Sequence, residues 1–104
     1  MARYIQDQMV IDAFYTQEGL DHVKRFITDK SGEEPEIVIN DDDSLYFKGH
    51  LKEKFYTTII GVHYDIYINP CSDKDGNNYI GELYDVVMEL PSVIRNSKIE
   101  TLLK

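Results

Sequence analysis

A chain of 104 residues with 42% hydrophobic and 12% aromatic side chains has the size of one domain, residues 1–104, and is apolar enough to bury a core, which excludes an intrinsically disordered chain. A formal net charge of −8 argues against direct binding to nucleic acid or anionic membranes and in favour of cationic partners. No apolar run approaches the ~18–20 residues of a membrane helix, and the start MARYIQDQ lacks the layout of a signal peptide, so a cytoplasmic protein is expected.

In chain order, residues 9–15 (MVIDAFY) are rich in β-branched and aromatic side chains and predict a first strand. Thr16 then offers an N-cap. Gly19, Leu20, Val23, Phe26 and Ile27 share one sector of a helical wheel, opposite Glu18, Asp21, Arg25 and Asp29, which predicts a helix over residues 17–30 ended by Ser31-Gly32. Ile37-Val38-Ile39 and Leu45–Leu51 read as two strands of a hairpin turned through Asn40–Ser44, and Lys52-Glu53 as the next turn. The alternation of Tyr56, Thr58, Ile60, Val62, Tyr64, Ile66 and Ile68 predicts one long strand over 55–68, bulged or bent at Gly61. Residues 79–90 fit a helix better than a strand. Pro91 should end it, and Ser97 with Glu100 forms a capping box for a short last helix that buries Ile99, Leu102 and Leu103. The expected order is βαβββαα, an α+β domain with a mainly antiparallel sheet of about four strands.

The most informative functional feature is a charge asymmetry. From Asp29 to Asp43 there are seven carboxylates (Asp29, Glu33, Glu34, Glu36, Asp41, Asp42, Asp43) and one cation, Lys30. Such a surface steers cationic partners toward itself, and carboxylates at strand spacing approximate the repeat of phosphates along a nucleic-acid strand. Tyr46 should face outward beside the Asp41–Asp43 turn, where an aromatic ring and carboxylates together suit an arginine or lysine. Glu33, Glu34, Glu36, Asp41, Asp42, Asp43 and Tyr46 are therefore the expected partner-binding residues. The reading they support is a small non-enzymatic binding protein, an inhibitor or immunity-type regulator that engages a basic surface of a nucleic-acid-handling protein by charge mimicry.

Two other readings compete. In the first, a metal or small ligand is bound. The loop Asp73-Lys74-Asp75-Gly76-Asn77-Asn78-Tyr79-Ile80 starts like an EF-hand calcium loop, with oxygen ligands at Asp73, Asp75 and Asn77, but Asn78 replaces the glycine and Tyr84 the bidentate glutamate. Asp, Gly and Asn are also ordinary turn formers. His63 and Asp65 have the i, i+2 spacing of half a metal shell, and His22 and His50 are remote from them in sequence. In the second, an apolar helix face made of Ile80, Leu83 and Val87 forms a homo-oligomer. No nucleophile elbow and no glycine-rich phosphate loop is present, so no enzyme, cofactor or metal centre is expected. Cys71 has no internal disulfide partner, and the negative charge of Asp73 and Asp75 disfavours its thiolate.

Overall fold

The computed structural model describes residues 1–51, 54–62 and 64–103. The chain forms β1 (Arg3–Ile5), α1 (Gln8–Phe14), α2 (Gln17–Ser31), β2 (Glu36–Ile39), β3 (Leu45–Leu51), β4 (Lys54–Val62), β5 (Asp65–Ile68), α3 (Ile80–Met88) and α4 (Leu90–Leu103). The α+β class and the antiparallel sheet are as expected. The sheet has five strands in the order β1-β5-β4-β3-β2, every neighbouring pair antiparallel.

The first correction concerns residues 9–15, which are helix rather than strand. Asp7 accepts hydrogen bonds through Oδ1 from the N–H groups of Met9 (2.9 Å) and Val10 (3.4 Å), so the first turn of α1 is capped. Val10, Ile11, Ala13 and Phe14 then fall on one buried face, at i, i+1, i+3 and i+4. Tertiary burial of that face outweighs the β propensity of its residues. The first strand lies upstream, in Arg3–Ile5, and two helices rather than one follow it.

Helix α2 matches its prediction. Thr16 accepts from the N–H of Gly19 (3.0 Å), and Gly32, at φ 80, closes the helix with its N–H on the Thr28 carbonyl (2.9 Å). Gly19 is required for packing, because a Cβ there would come 2.1 Å from the Ala13 carbonyl oxygen of α1. Gly19, Val23 and Ile27 line the buried stripe.

The long strand over 55–68 is instead a hairpin, β4 and β5, that reverses after Val62. The reversal changes which side chains share a face. Ile66 and Ile68 point into the core, while Ile60 and Val62 lie on the opposite side with Asp65 and Tyr67. The irregularity sits not at Gly61 but at Thr58, an extra residue between the Phe47–Ile59 and Lys48–Thr57 pairs, whose Oγ1 donates to the Phe47 carbonyl (3.2 Å). Gly61 serves packing, since a Cβ would meet the Tyr15 hydroxyl at 2.8 Å. The expected turn at Lys52-Glu53 lies outside the described residues.

Helices α1, α2 and α3 pack on one face of the sheet, and α4 packs against them. The sheet's inner rows, Phe47–Ile59–Ile68 and Leu45–Gly61–Ile66–Ile5, meet Phe14, Val23, Ile27, Leu83, Val87 and Leu90 in one core. Leu83 and Val87 have no exposed surface and Ile80 packs against the same core, so the apolar face proposed for self-association is used inside the molecule. Pro91 does not stop the chain. Helix α3 ends at Met88, and Pro91 stands in the first turn of α4, where the lack of an N–H does no harm. Consequently α4 begins at Leu90, and Ser97 lies inside it rather than at a cap. The side chains of Ile99, Leu102 and Leu103 lie outside the described residues. Among the described residues no helix is long and apolar enough to cross a membrane.

Candidate functional site

The meander β2-β3-β4-β5 fixes which groups meet. Its first turn, residues 40–44, and the β4–β5 reversal lie at one end of the sheet; the start of β2 and the loop after β5 lie at the other. Strand β1, antiparallel to β5, delivers the N-terminus of α1 to the first end. Strand geometry therefore separates Glu34 from Asp41 by on the order of 20 Å. The acidic stretch is continuous in sequence and divided in space.

At the far end the acids have internal partners. Glu34 Oε1 lies 2.7 Å from Lys24 Nζ, and Glu33 Oε2 lies 2.7 Å from His50 Nδ1. Lys30 pairs with Glu82 of α3, and its carbonyl accepts from the N–H of Lys74 (3.0 Å), so the end of α2 holds the 70–79 loop in place. Glu36 is on the open face of the sheet, opposite Lys48 in register. Tyr46 faces outward as expected and is half-buried, with Lys48 Nζ of the same strand 5.6 Å from its ring centroid.

The turn of residues 40–44 is different. Asn40 and Asp43 close it through the Asn40 N–H to the Ser44 carbonyl (2.8 Å) and the Asp43 N–H to the Asn40 carbonyl (3.1 Å). Asp43 takes φ 66, the left-handed position of a three-residue hairpin loop that glycine usually fills. Asp42 accepts from the backbone N–H and hydroxyl of Ser44 (3.1 and 2.6 Å). Asp41, Asp42 and Asp43 are all exposed, and among the described residues no lysine or arginine pairs with Asp12, Asp41 or Asp43.

Beside this turn is a cleft of about 390 Å³ that sequence reasoning missed. Ile11, Leu20, Ile39 and Leu45 line it with apolar surface, and Asp12 of α1 and Asp43 of the turn supply carboxylates from opposite elements. Asp12 Oδ1 accepts from Gln8 Nε2 (2.7 Å). The Tyr15 hydroxyl is buried without a hydrogen-bond partner among the described residues, and burial, with Asp43 and Asp42 close by, pushes its phenol up. The arrangement has the parts of a receptor for a cationic side chain, namely apolar surface for the stem, two carboxylates for the head and a hydroxyl in reserve. Reading residues 9–15 as strand hid Asp12 and Tyr15; an Asp7 N-cap with helical spacing was the signal that would have placed them.

In the 70–79 loop, Asp73 Oδ1 accepts from the N–H groups of Asp75 and Asn77 (both 2.9 Å), and Gly76 takes φ 85. Asp73 thus organises a turn closed by the Ser72–Asn78 bridge. Among the described residues no group of three His, Cys, Asp or Glu is placed to hold a metal ion. The His63/Asp65 pair falls outside the described residues at His63; Asp65 lies on the open face at the end of β4–β5. Cys71 and Tyr79 are buried side by side with Tyr56. Burial raises the Cys71 thiol to about 11 and pushes both phenols up. No family model, no curated protein and no solved structure matches the chain.

Proposed function

We propose that this chain is a non-enzymatic binding protein whose Asp41–Asp43 turn, with the Asp12/Asp43 cleft beside it, engages a basic protein surface. The observation that carries this reading is the convergence of Asp12 and Asp43 on a cleft that also holds a buried, unpartnered hydroxyl. Groups so placed are costly in the isolated molecule, because like charges repel and an unpaired buried hydroxyl forgoes a hydrogen bond; a cationic partner relieves both. A groove built for nucleic-acid phosphates is the simplest such surface, which makes an inhibitor or immunity-type regulator of a nucleic-acid-handling protein the favoured role. The helix-backed sheet supplies a rigid platform and so lowers the ordering cost of binding. The lone, buried Cys71 suits a reducing, cytoplasmic setting.

The test is charge reversal at the two ends of the acidic stretch. Wild type, Asp41→Lys/Asp42→Lys/Asp43→Lys and Glu33→Lys/Glu34→Lys are immobilised and exposed to host lysate, and bound protein is eluted with salt. A partner released by salt from wild type should be lost from the triple variant and kept by the double variant. With that partner purified, association at low salt should slow by about 10–100-fold in the triple variant. Equal capture by wild type and triple variant retires the proposal.

A further inference from the structure

The helices cover one face of the sheet, and the opposite face carries a row that crosses all five strands: Tyr4–Tyr67–Ile60–Tyr46–Val38, in direct register. At its β1–β5–β4 end this face has a depression of about 490 Å³, lined by Tyr4, Ile60, Val62, Asp65, Tyr67 and Asn69. The rings of Tyr4 and Tyr67 meet edge to face with centroids 4.7 Å apart, and Tyr4 remains 64% exposed. Beside them Asp65 keeps one carboxylate oxygen, Oδ1, buried and, among the described residues, without a hydrogen-bond donor. A buried carboxylate oxygen left in that state points to a donor that arrives from outside.

The chain itself indicates what that donor is. Two other tyrosine rings at the surface carry a cation of the same chain: Lys48 Nζ lies 5.6 Å from the Tyr46 centroid, and Arg3 Cζ lies 5.5 Å from that of Tyr84. Among the described residues no cation covers Tyr4 or Tyr67. We infer that the Tyr4/Tyr67/Asp65 depression is a second receptor for a cationic side chain of a basic polypeptide, separate from the Asp12/Asp43 cleft. The ring faces attract the cation, Asp65 Oδ1 accepts its N–H, and Ile60 and Val62 pack against the methylene stem. Arginine suits the site better than lysine, because a planar guanidinium can lie against a ring and still donate to a carboxylate in its own plane. Asp65 stands at the same end of the sheet as the Asp41–Asp43 turn, so one basic surface can reach both receptors around that end. The inference rests on the reading that the partner is basic, and its test separates the two sites.

The ¹⁵N-labelled protein is titrated with N-acetyl-arginine methylamide and, in parallel, with the uncharged citrulline analogue, following backbone amides by NMR. The expected result is saturable shifts at Val62, Asp65 and Tyr67 with the arginine compound and none with citrulline. Apparent affinity should fall at least fivefold in Asp65→Asn and in Tyr4→Ser, and should stay unchanged at these amides in Asp12→Asn. Should Tyr4→Ser disturb β1, the Asp65→Asn result decides. Shifts confined to Asp12, Tyr15 and Asp43 overturn this inference while leaving the cleft proposal standing. Equal shifts with citrulline, or no shifts on the open face, overturn it as well, and the basic-partner reading is then judged by its own charge-reversal experiment.

Discussion

The two ends of the sheet handle carboxylates in opposite ways. At the end where the 70–79 loop meets α2, acids find internal partners: Glu34 has Lys24, Glu33 lies against His50, Glu82 has Lys30, and Asp73 caps its own turn. At the other end Asp12 and Asp43 border a cleft, and among the described residues neither the buried Asp65 Oδ1 nor the Tyr15 hydroxyl has a hydrogen-bond partner. The fold thus compensates the carboxylates of the first end and leaves Asp12 and Asp43 of the second without a lysine or arginine among the described residues, while buried hydroxyls without a hydrogen-bond partner among those residues occur at both ends, Tyr56 and Tyr79 at the first and Tyr15 at the second. Net charge and a run of carboxylates are therefore a coarse guide; the proposed recognition surface is defined by the carboxylates that the fold leaves without a lysine or arginine.

The closed end should show the largest effect on stability, through Cys71. Its thiol is raised by burial from an ordinary 9.0 to about 11, with the neighbouring Tyr79 opposing the shift in part. Below pH 9 the thiol is protonated in both folded and unfolded chains, so the whole contribution is present. Above it the unfolded chain releases the proton while the folded chain retains it, and stability drains away as pH climbs toward 11. This one group accounts for about 2–3 kcal/mol over that window. Urea unfolding across the range should show the decline, and Cys71→Ala should make it shallower, the remaining slope coming from the buried tyrosines. Rapid labelling of Cys71 by a thiol reagent in the native protein near neutral pH would contradict a sealed end.

The contrast was only partly legible in the sequence. Helix α2 could be read at both ends, because a threonine cap, a clean apolar stripe and a terminal glycine all act locally. The β2–β3 hairpin was readable for the same reason, its turn residues and alternation agreeing. Residues 8–14 were not, since Val10, Ile11 and Phe14 favour strand by propensity and become helical because that face packs against the sheet. The reversal after Val62 was hidden by an alternation that ran on unbroken through it, and with it the placement of Asp65 and Tyr67 on the open face. The carboxylates of the turn were thus found from sequence. The cleft was not, because Asp12 and Tyr15 come from the misread segment and meet Asp43 only in three dimensions.

At the open end, Asp43→Gly sharpens the comparison by separating fold from function. Asp43 occupies a left-handed backbone conformation at φ 66, which glycine adopts without steric penalty, and it stands among other carboxylates. The substitution should raise stability by about 0.5–1 kcal/mol, the relief of the turn exceeding the extra freedom given to the unfolded chain. It should also weaken binding to the proposed basic partner, since one of the two cleft carboxylates is gone. A more stable protein that binds less well marks Asp43 as held there for recognition. Lower stability would mean that the carboxylate supports the turn, and the two ends would then differ less than the geometry implies.

The smallest effect is expected from Glu34→Gln, and its smallness is informative. Glu34 and Lys24 sit 2.7 Å apart, but their side chains are 67% and 34% exposed, so water and salt screen the attraction and ordering two long side chains offsets much of the rest. Loss of the pair should cost no more than about 0.5 kcal/mol at low salt, with less difference as salt rises. Binding to the proposed basic partner should be unaffected, because in the native protein this carboxylate already faces Lys24. Charge number is the same in Glu34→Gln and Asp43→Asn, each losing one carboxylate from the same acidic stretch. A model in which only net charge matters predicts equal losses of affinity from the two, whereas division of the stretch between a closed and an open end predicts a loss from Asp43→Asn alone.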